Sequence, residues 1–153
     1  EKLNVVLGST VPKLASFDND QKAKIYLKKL QYLVGGLAVV GLLLMPLADY
    51  LLPIVLGVEY IQSIGVFNIL LLAQLIFLIS LPVHQSIFYY FSQPKFFVIV
   101  SLVNLAVMLS LGVYLINQMG VIGAAWAVLI SNLLNLAIPL LWVIWKFQKG
   151  HQR

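Results

Sequence analysis

Apolar residues run almost unbroken over four stretches, from about Leu30 to Ala48, Ser63 to Tyr90, Phe96 to Ile116 and Ile122 to Trp145. Each is close to or longer than the ~20 apolar residues that a helix needs to cross a ~30 Å hydrocarbon core. The pattern predicts four membrane-spanning helices. The second stretch exceeds one crossing, so it is expected to tilt, to kink at Pro82 or to project beyond the bilayer. Only Asn117, Gln118, Met119 and Gly120 separate the third from the fourth, which predicts an antiparallel helical hairpin. A membrane barrel would alternate in polarity over segments of ~10 residues, and runs such as Ile69-Leu70-Leu71-Leu72 do not alternate. In lipid the backbone must satisfy its own hydrogen bonds, so the expected fold class is all-α, a polytopic transmembrane helical bundle.

The stretch before Leu30 has a different character. Residues 1–15 are apolar but too short to span, and read as the end of a truncated helix that Pro12 bends or ends. Residues 16–29 read as a cytoplasmic basic loop or surface helix, with Ser16, Asp18 and Asp20 as candidate N-caps and Ile25, Leu27 and Leu30 among four lysines. The four-helix transmembrane bundle then occupies 30–146, and 147–153 form a cytoplasmic tail. Since the chain opens on Glu1 and shows no signal-peptide pattern, it reads as a piece of something longer.

Composition sharpens the membrane assignment. Of 153 residues, 61% are hydrophobic and 10% charged, against about 25% charged in a soluble domain. A mean hydropathy of +0.98 agrees. Ten Lys and Arg against five Asp and Glu would suit a nucleic-acid binder if they formed a polar patch with aromatics. Instead they flank the spans. Lys13, Lys22, Lys24, Lys28 and Lys29 precede the first, Lys95 separates the second from the third, and Lys146, Lys149 and Arg153 follow the fourth. The other two loops hold only Asp49 and Glu59. By the positive-inside rule both ends of the bundle are expected to be cytoplasmic, with Tyr32, Trp142 and Trp145 as interfacial anchors. No partner among nucleic acids is expected.

Candidate chemistry is sparse. The chain has no cysteine, which excludes disulfides, thiolate metal sites and a cysteine nucleophile. The spans contain no Asp, Glu, Lys or Arg, and His84 is their one titratable side chain apart from tyrosines. A single imidazole makes neither a metal site nor a catalytic pair, so no enzyme, cofactor or metal is expected. What remains is a set of amides, hydroxyls and small residues. Gly120, Ala124, Ala127, Ser131 and Asn135 share one face of the fourth span, where small residues let a neighbouring helix approach and Asn135 can bond across. Ser101, Asn104, Met108 and Gly112 make a similar face on the third. The plain expectation is that these faces pack together; the functional one is that their polar members also line a path. Gln74, Ser80, His84 and Gln85 stand in the second span around Pro82, which deprives the Leu78 carbonyl of its partner. Kinked, locally polar helices are typical of transport pathways, and an imidazole can carry a proton near neutral pH. Asn68 and Asn132 are further candidates.

Several segments together resemble a known pattern: Val11-Pro12-Lys13 and the lysine-rich loop after it, Leu52-Pro53-Ile54-Val55-Leu56-Gly57-Val58-Glu59-Tyr60, the long span ending in Ser92-Gln93-Pro94-Lys95, Val103-Asn104-Leu105, and Met119-Gly120-Val121-Ile122-Gly123-Ala124-Ala125. Over nearly its whole length the chain resembles the C-terminal part of polysaccharide flippases, the Wzx-type O-antigen transporters of the multidrug/oligosaccharidyl-lipid/polysaccharide exporter superfamily. The resemblance implies two six-helix bundles around a central cavity, of which this chain holds the end of helix eight and helices nine to twelve. It also implies export of undecaprenyl-pyrophosphate-linked oligosaccharides across a bacterial inner membrane, for O-antigen, capsule or exopolysaccharide assembly. Family members often place arginines and acids in the cavity, whereas these spans have none.

On that resemblance, Gln74, His84, Gln85, Asn104, Asn132 and Asn135 are expected along the substrate path. Lys28, Lys29 and Lys95 are expected to attract a pyrophosphate at the cytoplasmic mouth, near Tyr89 and Tyr90. The expected partners are the lipid-linked oligosaccharide, membrane lipids, the N-terminal bundle of the same protein and a polysaccharide polymerase. A peptidoglycan-precursor flippase, a multidrug or cation antiporter of the same superfamily, and a small membrane scaffold subunit remain as alternatives.

Overall fold

A computed structural model describes residues 20–149. The truncated helix expected at 1–15, the caps Ser16 and Asp18, Lys13 and the tail residues 150–153 lie outside the described residues.

Among the described residues, five α-helices follow one another: α1 (Asp20–Leu43), α2 (Met45–Leu56), α3 (Ile64–Gln85), α4 (Pro94–Met119) and α5 (Val121–Gln148). A 3₁₀ turn, Val58–Ser63, leads into α3, and a π turn, Ser86–Tyr90, extends it. Among the described residues, four helical segments are long and apolar enough to cross a membrane: Lys24–Leu43, Val58–Tyr90, Pro94–Met119 and Val121–Gln148. No strand occurs among the described residues. Over the described residues the chain is all-helical, with the spans of a multi-pass membrane protein.

The basic residues from Lys24 to Lys29 and the first apolar run belong to one uninterrupted helix. That helix breaks at Leu44 instead of continuing to Ala48, because Pro46 has no N–H to return to Leu42 and takes a first-turn position of α2. Pro94 starts α4 in the same way. The second span is lengthened at both ends by the 3₁₀ and π turns. In the π turn the Phe91 N–H reaches five residues back to Ser86 O at 2.9 Å, and Gln93 N–H bonds Ile87 O at 3.0 Å. Ser92, at φ 51°, then reverses the chain.

The helices lie side by side in the order α1, α3, α5, α4. Contacts between named residues set their directions. Gln31 meets Ile79, so α1 and α2 run antiparallel to α3, at whose far end Asp49 meets Asn68. Ala73 meets Asn132 and His84 meets Asn135, so α3 and α5 are parallel. Asn104 meets Ser131 and Gly112 faces Ala127, so α4 and α5 form the expected antiparallel hairpin. The four spans therefore alternate in direction. The start of α1, the π turn, the start of α4 and the end of α5 come together at one end, which carries the described lysines, while Asp49 and Glu59 belong to the other.

An aromatic cluster closes the lysine end. Phe96 stacks on Trp142 with ring centroids 4.5 Å apart, and Phe91 meets Trp142 and Phe147 edge-on at 5.3 and 4.9 Å. Ile87, Tyr90 and Phe91 are almost wholly buried within it. Trp145 stays half exposed and carries the Lys149 ammonium 4.3 Å above its ring, an amphipathic arrangement suited to the membrane–water boundary.

Candidate functional site

The polar residues of the spans form a seam that runs across α3, α5 and α4. At its centre the His84 ring nitrogen Nε2 lies 3.0 Å from the backbone carbonyl of Asn135. A carbonyl only accepts, so Nε2 carries the proton and donates. The reason this carbonyl is available lies four residues on. Pro139 sits inside α5 and has no N–H to return to Asn135. His84 thus supplies from α3 the donor that Pro139 withholds from α5. In a bilayer, where an orphaned backbone group costs several kcal/mol, such a replacement decides whether a proline is tolerated. Phe97 packs edge-on against the same imidazole, with centroids 5.1 Å apart.

Other backbone carbonyls, along α3 up to the π turn, are served by side chains. Gln31 Nε2 donates to Ile79 O at 3.1 Å, one residue beyond the Leu78 carbonyl that Pro82 leaves open. Asn132 Nδ2 donates to Ala73 O at 2.9 Å and so ties α5 to α3. Ser80 and Ser86 turn their hydroxyls back onto the Phe77 and Val83 carbonyls, at 2.6 and 2.7 Å, the habit of serines within a helix. On the other side of α5, Ser131 Oγ donates to Asn104 Oδ1 at 2.7 Å. Asn104 and Asn135 also border a crevice between α4 and α5 of about 10 Å³, room for about one water.

The expected path residues therefore divide. His84, Asn104, Asn132 and Asn135 lie along one seam and serve contacts between helices, Asn135 through its backbone carbonyl and not through the side-chain amide expected to bond across. Gln74 stands apart, exposed on α3. Gln85 is half-buried, and its Oε1 has no hydrogen-bond partner among the described residues. Lys28, Lys29 and Lys95 are exposed at the lysine end. Tyr89 is exposed there too, whereas Tyr90 is locked into the aromatic cluster.

The packing faces are also refined. Ala127 and Ser131 are buried and Ala124 half-buried, whereas Gly120 is exposed and makes the turn, with φ 62° and ψ −140°. Gly123, one position away from the expected stripe, lies tight against α4: a Cβ there would run into the Leu115 carbonyl. On α4 the face turned to α5 is Val100, Asn104, Val107 and Leu111, while Ser101 and Met108 of the expected face are exposed. The α4 stripe follows the a/d-like spacing of a helix pair, which the sequence shows once its partner is known.

The sequence reading missed Pro139 and Gln31. A proline four residues after Asn135 signals an open carbonyl, but the donor that fills it depends on α3 lying beside α5, which no local pattern states. Among the described residues no group of three His, Asp, Glu or Cys side chains can hold a metal ion. No protein-family model matches the chain, and neither a curated protein nor a solved structure is significantly similar to it.

Proposed function

We propose that the chain is the C-terminal part of a flippase that carries undecaprenyl-pyrophosphate-linked oligosaccharide repeat units from the cytoplasmic to the outer leaflet of a bacterial inner membrane. The observation that carries this is the pairing of four alternating spans, whose apolar stretches hold no acid or base apart from His84, with lysines gathered at one end. A flippase needs a cavity and alternating access, not bond chemistry. Its cargo has a large hydrophilic head that hydrogen-bonds to amides, while the lipid tail stays in the bilayer. Neutral amides serve that head without the desolvation cost of a buried charge. Gln74 and Gln85 are the amides offered to cargo, since those of Gln31, Asn104 and Asn132 brace the helices. The lysine end is the cytoplasmic one, where Lys28, Lys29 and Lys95 attract the pyrophosphate, and the N-terminal bundle supplies the opposite wall and its charged groups.

A membrane scaffold subunit is the second reading, favoured by the engagement of His84, Asn104, Asn132 and Asn135 in helix contacts. Deleting the complete gene separates the two. For a flippase, surface polysaccharide is lost and undecaprenyl-linked oligosaccharide accumulates on the cytoplasmic leaflet. Normal polymer without accumulation, and with no paralogue covering, overturns the flippase and leaves the scaffold or the drug antiporter.

A further inference from the structure

A cleft of about 580 Å³ opens at the lysine end, lined by α1, the end of α3, the π turn and α5. Its volume falls within the roughly 300–1,000 Å³ of ligand-binding clefts. The floor is Pro82, Val83 and Ser86, the walls include Leu27, Leu140 and Ile144, and Lys24 and Lys28 stand at the rim. The polar groups lining the apolar part are spent internally: Ser86 Oγ on the Val83 carbonyl and Gln31 Nε2 on the Ile79 carbonyl. What faces the space below the rim is therefore hydrocarbon.

The rim has the opposite character. The Lys24 ammonium lies 3.4 Å from Phe147 O and 4.9 Å above the Phe147 ring, and the Lys28 ammonium 5.9 Å above the Tyr32 ring. None of these contacts supplies a negative charge, and an ammonium has three donors to place. Lys24 also covers a carbonyl in the last turn of α5, whose negative helix end would otherwise repel an anion.

We propose that this cleft is a binding site for an anionic phospholipid of the leaflet at the lysine end, with the phosphate between Lys24 and Lys28 and an acyl chain against Val83, Leu140 and Ile144. Charge complementarity chooses the occupant. A soluble anion has no use for the hydrocarbon walls, a zwitterionic lipid gains less from two ammonium groups, and basic pockets between spans on the cytoplasmic side are established lipid-headgroup sites. The site rests on the membrane crossing and needs no cargo; it claims Lys28, which the flippase reading gives to the pyrophosphate, and the last arm of the test separates the two uses.

The test is native mass spectrometry of the full-length protein in mild detergent, with phosphatidylglycerol and phosphatidylcholine added separately and together. The expected result is one retained phosphatidylglycerol per chain, preferred about 10-fold or more over phosphatidylcholine. Lys24→Gln with Lys28→Gln, both at exposed positions, abolishes the preference, and Ile144→Trp, which fills the cleft from its exposed edge, lowers occupancy by either lipid. Equal retention of the two lipids by the native chain, or a preference unchanged in the double variant, overturns the site. So does displacement of phosphatidylglycerol by an equal amount of undecaprenyl pyrophosphate, which would assign the cleft to the carried lipid.

Discussion

Helices α4 and α5 are nearly equal in length, one starting at Pro94 and the other just after Gly120, and both are apolar enough to cross a membrane. Their surroundings nevertheless differ sharply. Eight residues of α5 are buried, and of α4 only Val100. Hydrophobicity cannot sort them, because lipid tails and helix surfaces are equally apolar. The buried positions of α5 are Gly123, Ala125, Ala127, Ser131, Asn135 and Pro139 together with Leu129 and Val143, whereas α4 presents Val98, Ile99, Leu102, Leu109 and Val113 outward. A central membrane helix is thus marked by small and polar residues, which permit close approach and bond across it, and a peripheral one by large aliphatics.

The hardest blow to this contrast is Gly123→Ala. Its new methyl group would occupy the space of the Leu115 carbonyl, and backbone cannot move aside as a flexible side chain can. The hairpin must open, so the expected destabilisation is about 3 kcal/mol, the top of the usual range for overpacking or above it. Reversible unfolding in mixed micelles of rising SDS fraction measures it. A loss below about 1 kcal/mol would mean that α5 does not owe its central place to this contact.

Next in size is the brace between α3 and α5. His84→Ala leaves the Asn135 carbonyl without a donor, at a cost of about 1–3 kcal/mol. Pro139→Ala restores an N–H to position 139 and lets α5 close its own hydrogen bond, so the double variant should recover about 1 kcal/mol or more of what His84→Ala loses. Simple addition of the two single losses would show that the proline and the histidine do not answer each other. The double variant also isolates chemistry from architecture. If it transports with the native rate and native pH dependence, His84 is a brace and carries no coupling proton.

The sequence made much of this legible, for physical reasons that differ by element. Four spans follow from the length of apolar runs, and the tight α4–α5 hairpin from Gly120, whose left-handed backbone ends one helix and begins the next. The stripe from Ala127 through Ser131 to Asn135 also points correctly to the buried side of α5. The order α1, α3, α5, α4 was not legible, since a period of 3.6 names a face but not the neighbour it meets. That is why Asn104, Asn132 and Asn135 could also be read as lining a path, and why Lys24 and Lys28, legible as topology signals and as charges for a pyrophosphate, could not be placed with α5 on one cleft. The break at Leu44 was signalled by Pro46; the apolar run continued through it and hid it.

The smallest effect is expected at Gly112, and it tests the contrast from the other side. Gly112 faces α5 as Gly123 faces α4, and both would be chosen from sequence as small residues at a helix contact. A Cβ at Gly112, however, comes only to 4.0 Å from the Ala127 methyl, an ordinary van der Waals contact. Gly112→Ala therefore meets no obstacle, and in the interior of a helix alanine is favoured over glycine by up to about 1 kcal/mol. The variant should be neutral or stabilised by up to that amount in the same micelle titration. A clear destabilisation would mean that α4 packs closer than this along its middle, and that glycine spacing alone, without the geometry of each contact, had already told the whole story of the hairpin.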